Sequence, residues 1–189
     1  FNQGKVETLL EWREALGEHA SSSPQLMFTC AMIHTDRFQF EVAQDELTEA
    51  RRGFDAANNA TGMTNIHIQH ALIDLRRGEY RSVSDNMTAL LDGALPSAML
   101  RGRAMHLRAL AELGLGEVND AIAELEAAEP IFASESDLFA LSAILQDLQV
   151  AYERAGRLDE ASSCLHRVVA LRRKIGRPDA LAHALNNLG

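Results

Sequence analysis

The sequence predicts an all-α fold, a solenoid of antiparallel helix pairs in units of about 40 residues. Three observations lead there. The stretch Leu145 to Leu171 reads as two amphipathic helices around a glycine turn. Leu145, Leu148 and Tyr152 form one stripe, Gly156 supplies the left-handed residue that ends a helix, and Leu158, Ala161, Leu165 and Val168 form the second stripe. Neither helix buries its stripe alone, so the two face each other. The pattern also recurs in phase: Gly156 is matched by Gly116, Gly78 and Phe38, Ala161 by Ala121, Val83 and Ala43, and Leu165 by Leu125, Met87 and Leu47. In the first helix Leu145 is matched by Met105, His67 and Met27, and onward by Leu185. Composition agrees: 47% hydrophobic but only 5% aromatic, with four prolines and no alternating Val/Ile/Thr runs.

Units therefore begin near Pro24, Thr64, Gly102, Ser142 and Ala182, spaced 40, 38, 40 and 40 residues. These columns, with the LxxLxxxY of Leu145, Leu148 and Tyr152 and the GRLDEA that follows, resemble the tetratricopeptide repeat in a unit longer than its minimal form. The run Leu185-Asn186-Asn187-Leu188-Gly189 resembles the start of another copy. The resemblance implies a right-handed superhelix whose first helices line a concave face.

Taken in order, residues 5 to 19 read as a capping helix with Val6, Leu9, Leu10, Trp12, Arg13 and Leu16 on one side, and residues 1–23 as this helix and a linker. Ser23 before Pro24 suits an N-cap followed by proline at the first helical position. The run Leu9 to Leu16 with Pro24-Gln25-Leu26 is similar to the start of the repeat region in MalT-type activators of the LuxR family. That resemblance implies an ATPase module, a helical sensor and a helix-turn-helix within one longer chain. Unit one turns at Phe38 and ends at the loop Asn58 to Gly62. Unit two turns at Gly78 and ends before Gly93-Ala94-Leu95-Pro96, unit three turns at Gly116 and ends around Glu129-Pro130, and unit four is capped by Ser136. Arg177-Pro178 introduces a fifth, whose truncation at Gly189 suggests a piece of a longer protein.

Chemistry-bearing patterns are few. The net charge of −9 disfavours direct contact with nucleic acid, and no apolar run reaches the roughly 18 residues of a membrane span. Cys30 and Cys164 occupy apolar positions in different units, which fits a reducing cytoplasm. His67, His70 and His106 on adjoining helices read as structural rather than as a zinc set, because His67 and His70 fall in packing columns. Gly114-Leu115-Gly116 follows a helix and is a hairpin turn, not a nucleotide loop. Glu11, Glu14, Glu46, Glu49, Glu124, Glu126, Asp159 and Glu160 are spaced as solvated helix faces. No catalytic residue, metal site or cofactor is expected.

Binding remains. Counted from the unit starts, the concave positions include Phe28 and Met32, Ile68, Leu72 and Arg76, Arg103, His106 and Leu110, then Gln146 and Val150. An acidic or amphipathic ligand, either a protein or peptide partner or a small-molecule effector, is expected across units two and three with Arg103 as anchor. The first functional expectation is a sensor segment of a transcriptional regulator that also contacts other domains of its own chain; the alternative is a tetratricopeptide-type interaction scaffold. The helical reading has a direct check. Far-UV circular dichroism should show an almost wholly helical spectrum, and substantial sheet content would overturn it.

Overall fold

The computed structural model describes residues 3–134 and 137–175, and every regular element among them is helical. In chain order these are α1 (Gln3–Leu16), a 3-10 segment (Gly17–Ser22), α2 (Pro24–Asp36), α3 (Phe40–Ala56), α4 (Ala60–Arg77), α5 (Tyr80–Leu91), α6 (Ala98–Leu115), α7 (Val118–Ser134), α8 (Leu138–Arg154) and α9 (Leu158–Ile175). Two compact units divide the chain, Phe1–Ile73 and Asp74–Gly189, with the boundary inside α4. In the first, α2 and α3 pack as a hairpin around Met27, Phe28, Leu47 and Phe54. In the second, α5 to α9 pack each on the next, around Leu125, Phe132, Ile144, Leu148 and Val168.

One backbone device makes the four turns inside the hairpins, and Asn58, with φ of 49° and the N–H of Asn59 on the Phe54 carbonyl at 2.9 Å, repeats it between α3 and α4. Phe38, Gly78, Gly116 and Gly156 have φ of 60°, 80°, 84° and 73°. At the residue after each, the N–H reaches back to close the helix: Gln39 to the carbonyl of His34 at 2.9 Å, Glu79 to Asp74 at 3.0 Å, Glu117 to Glu112 at 2.9 Å and Arg157 to Tyr152 at 2.8 Å. This is the Schellman closure, which satisfies carbonyls that a helix end leaves free. The second helix starts at once, and its small residue Ala43, Val83, Ala121 or Ala161 is buried in every turn. Glycine suits the left-handed residue because it has no Cβ to collide with the next carbonyl. Phe38 holds the same angle with 68% of its surface exposed and its ring edge-on to Phe40, 5.8 Å away.

First helices begin differently, with side-chain caps. Ser23 Oγ accepts from the N–H of Leu26, Asn59 Oδ1 from Gly62, Ser97 Oγ from Leu100 and Asp137 Oδ1 from Ala140, at 3.4, 2.8, 3.2 and 3.0 Å. Each accepts a hydrogen bond from one of the unpaired amides of the first turn. The cap of α8 is thus Asp137; Ser136 lies outside the described residues, as do Arg177-Pro178 and the run from Leu185 to Gly189.

Several expectations are corrected. Pro130 does not end unit three: α7 runs on to Ser134, held by Phe132, which is buried against Gly102. Gly114 lies inside α6 and is a close-approach residue, because a Cβ there would stand 2.5 Å from the ring of Tyr80. The capping helix stops at Leu16, before Gly17 with φ of 51°, and leaves Trp12 and Leu16 exposed. His67 is exposed although Met27 and Leu145 of its column are core residues. Glu46 and Glu124 are not solvated, since arginine and histidine partners hold them inside.

The turn column is testable by exchange. Gly116→Ala should cost about 1–2 kcal/mol in urea denaturation, whereas Phe38→Gly should gain about 1 kcal/mol by removing left-handed strain. Equal effects at both positions would mean that the column does not set the turn. Overpacking the buried Ala161 with leucine should cost about 1–3 kcal/mol, while Ala94→Leu in the exposed loop should be near neutral.

Candidate functional site

The expected concave rows fall into different environments. Phe28 and Ile68 are core residues, 6% and 2% exposed, and offer no surface to a ligand. Met32 and Leu72 are half-buried, and Met32 packs on the core of the first unit. Phe28 packs edge-on to Phe54 of α3, with 6.4 Å between ring centroids. Arg76 is exposed at the end of α4. In the second unit Arg103, His106 and Leu110 are half-buried along α6, and burial lowers the guanidinium pKa of Arg103. His106 Nε2 lies 2.6 Å from Asp147 Oδ2 and ties α6 to α8.

Gln146 and Val150 come together in an open depression of about 340 Å³ on α8, completed by Gln149 and Glu153. Gln149 Nε2 donates to Glu153 Oε1 at 2.8 Å, and Arg172 reaches from α9 to Gln146 and Ser142. In repeat register, Gln146, Gln149 and Val150 correspond to His106, Ala109 and Leu110 of α6. On α6 this is the side from which His106 meets α8. The depression therefore uses the face by which one first helix receives the next. Its chemistry differs at one position: three buried alanines, Ala31, Ala71 and Ala109, are followed in register by Gln149.

Charged groups also enter the hairpins, at positions that spacing alone reads as surface or core. Arg108 Nη2 lies 2.6 Å from Glu124 Oε2, and its Nε is 3.8 Å from Glu112 Oε1. Arg108 Nε, Glu112 Oε2 and Glu124 Oε1 are buried without a hydrogen-bond partner. Burial raises the Glu112 carboxyl to about 7 from 4.5; Arg108 opposes the shift, while Glu124, Asp120 and Glu117 add to it. Glu46 occupies the position of Glu124 in the first unit, with His34 in the place of Glu112. Its Oε2 lies 2.6 Å from His34 Nδ1, and its Oε1 lies 3.2 Å from Arg13 Nε. Both cysteines are free and buried, and among the described residues no group of three His, Cys, Asp or Glu is placed to hold a metal ion.

The fold is that of a tetratricopeptide-like helical repeat. Among solved structures the chain is similar to aspartyl phosphate phosphatase F from Bacillus subtilis, with 16% identity and a TM-score of 0.74 over 85% of this chain and 43% of that one. It is also similar to a Rap protein complexed with Competence and Sporulation Factor, with 14% identity and a TM-score of 0.79 over 97% of this chain and 58% of that one. The chain thus spans about half the length of these structures, and the likeness is one of fold. No protein-family profile and no curated protein matches the chain. No described helix is long and apolar enough to cross a membrane.

The buried carboxyl of Glu112 leads to a pH prediction. The folded chain keeps this proton where the unfolded chain has released it, so the contribution of Glu112 to stability falls as pH rises from about 4.5 to about 7 and then levels. Glu112→Gln has no charge to bury. Its melting temperature should exceed the parent's by roughly 2–4 °C above pH 7 and match it below pH 4.5. A constant offset at every pH would assign the pH dependence to other groups.

Proposed function

We propose that the chain is a non-catalytic binding segment that receives an extended or helical polypeptide on the first-helix face of its second unit. The observation that carries this is the row Gln146, Val150 and Glu153 above the buried Gln149, an open depression on the same helix face that receives a neighbour one pair earlier. An exposed side-chain amide, a carboxylate and one apolar residue suit a partner whose backbone and polar side chains need hydrogen-bond partners while an apolar side chain is covered. A Rap protein of like fold complexed with Competence and Sporulation Factor supports a protein or peptide partner. The likeness to the aspartyl phosphate phosphatase is one of fold, and none of its chemistry is carried over to this chain. Two free buried thiols suit the cytoplasm.

Arg103, His106 and Leu110 on α6 border this reading as secondary contacts. The narrower role, a sensor for a MalT-type activator, rests on the run Leu9 to Leu16 with Pro24-Gln25-Leu26. The scaffold reading has the additional support of the neighbours' fold, so it is preferred.

Peptides selected from a random display library against the whole chain provide the test. In fluorescence anisotropy, the double variant Gln146→Ala, Val150→Asp should lose about tenfold or more in affinity, equivalent to about 1.4 kcal/mol or more. Ala94→Ser, in the exposed loop, should bind as the parent does. Selected peptides that bind the double variant as well as the parent would overturn the assignment.

A further inference from the structure

A second site lies in the first unit, around a side chain that solvent does not reach. Glu46 on α3 has 1% of its side chain exposed. One carboxylate oxygen, Oε2, is met by His34 Nδ1 at 2.6 Å. The other, Oε1, lies 3.2 Å from Arg13 Nε, but the groups are out of line and neither atom makes a hydrogen bond. A buried carboxylate oxygen in that state has given up water without full replacement. It is a receptor for a better-placed donor.

The space for that donor is present. Glu46 lines a cavity of about 340 Å³ whose other walls include Arg13 of α1, Met27 of α2, and Val42, Asp45 and Glu49 of α3. Arg52 also borders the cavity, and its Nη1 stands 2.5 Å from Glu49 Oε1, so that carboxylate is already answered. Asp45 is exposed and enters no ion pair among the described residues. Three carboxylates thus face two guanidiniums, an excess of one negative charge.

We propose that this cavity is a subsite for a cationic side chain, the guanidinium or ammonium of an arginine or lysine on a partner polypeptide. Glu46 Oε1 is the acceptor, Asp45 the outer counter-charge, and Arg13 the resident cation that the incoming group displaces. The chemistry matches at both ends. A long basic side chain lays its hydrocarbon stem along apolar groups, here Met27 and Val42, and presents its charged head beyond them. A charge-assisted bond to a carboxylate that already lacks a donor is the strong form of hydrogen bond. Arg13 is displaceable because its side chain is 41% exposed and can return to water on release. The site lies in the first unit and the α8 row in the second, so the two assignments stand or fall separately.

Trp12, the only tryptophan of the chain, adjoins Arg13 in sequence and reports on the site. The whole chain is titrated with agmatine, which carries a guanidinium and an ammonium at the two ends of a four-carbon stem, and with n-butylurea, an uncharged compound with a stem of the same length. Trp12 emission and isothermal calorimetry are both followed. Agmatine should give saturable binding and n-butylurea none. Arg13→Ala, which vacates the site, should tighten agmatine binding by about tenfold. Glu46→Gln should weaken it by at least as much, and Asp45→Asn, a surface change that leaves the core intact, should weaken it severalfold. Equal responses to the two probes, or an Arg13→Ala variant that binds agmatine no more tightly than the parent, would overturn the proposal.

Discussion

The left-handed residue at each hairpin turn is the constraint on which the rest of the structure depends. A helix cannot reverse within two residues unless one of them takes positive φ and lets the next amide turn back to the helix it has left. At Phe38, Gly78, Gly116 and Gly156 the same closure is made with nearly the same distances. Because the reversal is that tight, the second helix begins directly against the first. The position four residues on from Gln39, Glu79, Glu117 and Arg157 must then be small, and it holds Ala, Val, Ala and Ala. The glycine turn and the small-residue column are therefore two results of one reversal.

Packing that close leaves little room for ions, yet each described unit contains one buried ionic group. The carboxylates of Glu46 and Glu124 occupy the same place in their hairpins, and both face a polar residue near the end of the preceding helix, His34 or Glu112. An arginine completes each set: Arg13 from outside the hairpin, Arg108 from within it. Breaking such a set is more damaging than never having had it, because the partner left behind keeps its charge in an apolar setting.

The fold was legible in the sequence because its controlling residues are local. Left-handed backbone, small turn-adjacent residues and capping serines act within a few positions, so Gly156 and Ser23 announce themselves. Phe38 was legible only by register, since nothing intrinsic to phenylalanine suggests positive φ. The candidate sites were less legible. Glu46 has the spacing of a surface carboxylate, yet it is held inside beside His34 and Arg13, residues of other helices whose approach no periodicity encodes. Phe28 and Ile68 stood in the ligand-facing columns, but the same columns also receive neighbouring helices, and packing took precedence. Gln146 and Val150 belong to those columns as well and remain open.

Gln149 bears on how such a chain can be built by duplication. A repeat grows when a copied pair fits against its original, and the buried Ala109, on the α6 face whose His106 meets α8, permits that fit. Glutamine interrupts the interchangeability. A pair copied from the third and grafted after the fourth would meet an amide where its ancestor met a methyl group, so it would have to stand off or bring a polar residue to match. The fourth pair thus carries a buried amide where the third carries a buried methyl group, and the two are not exchangeable modules at that joint.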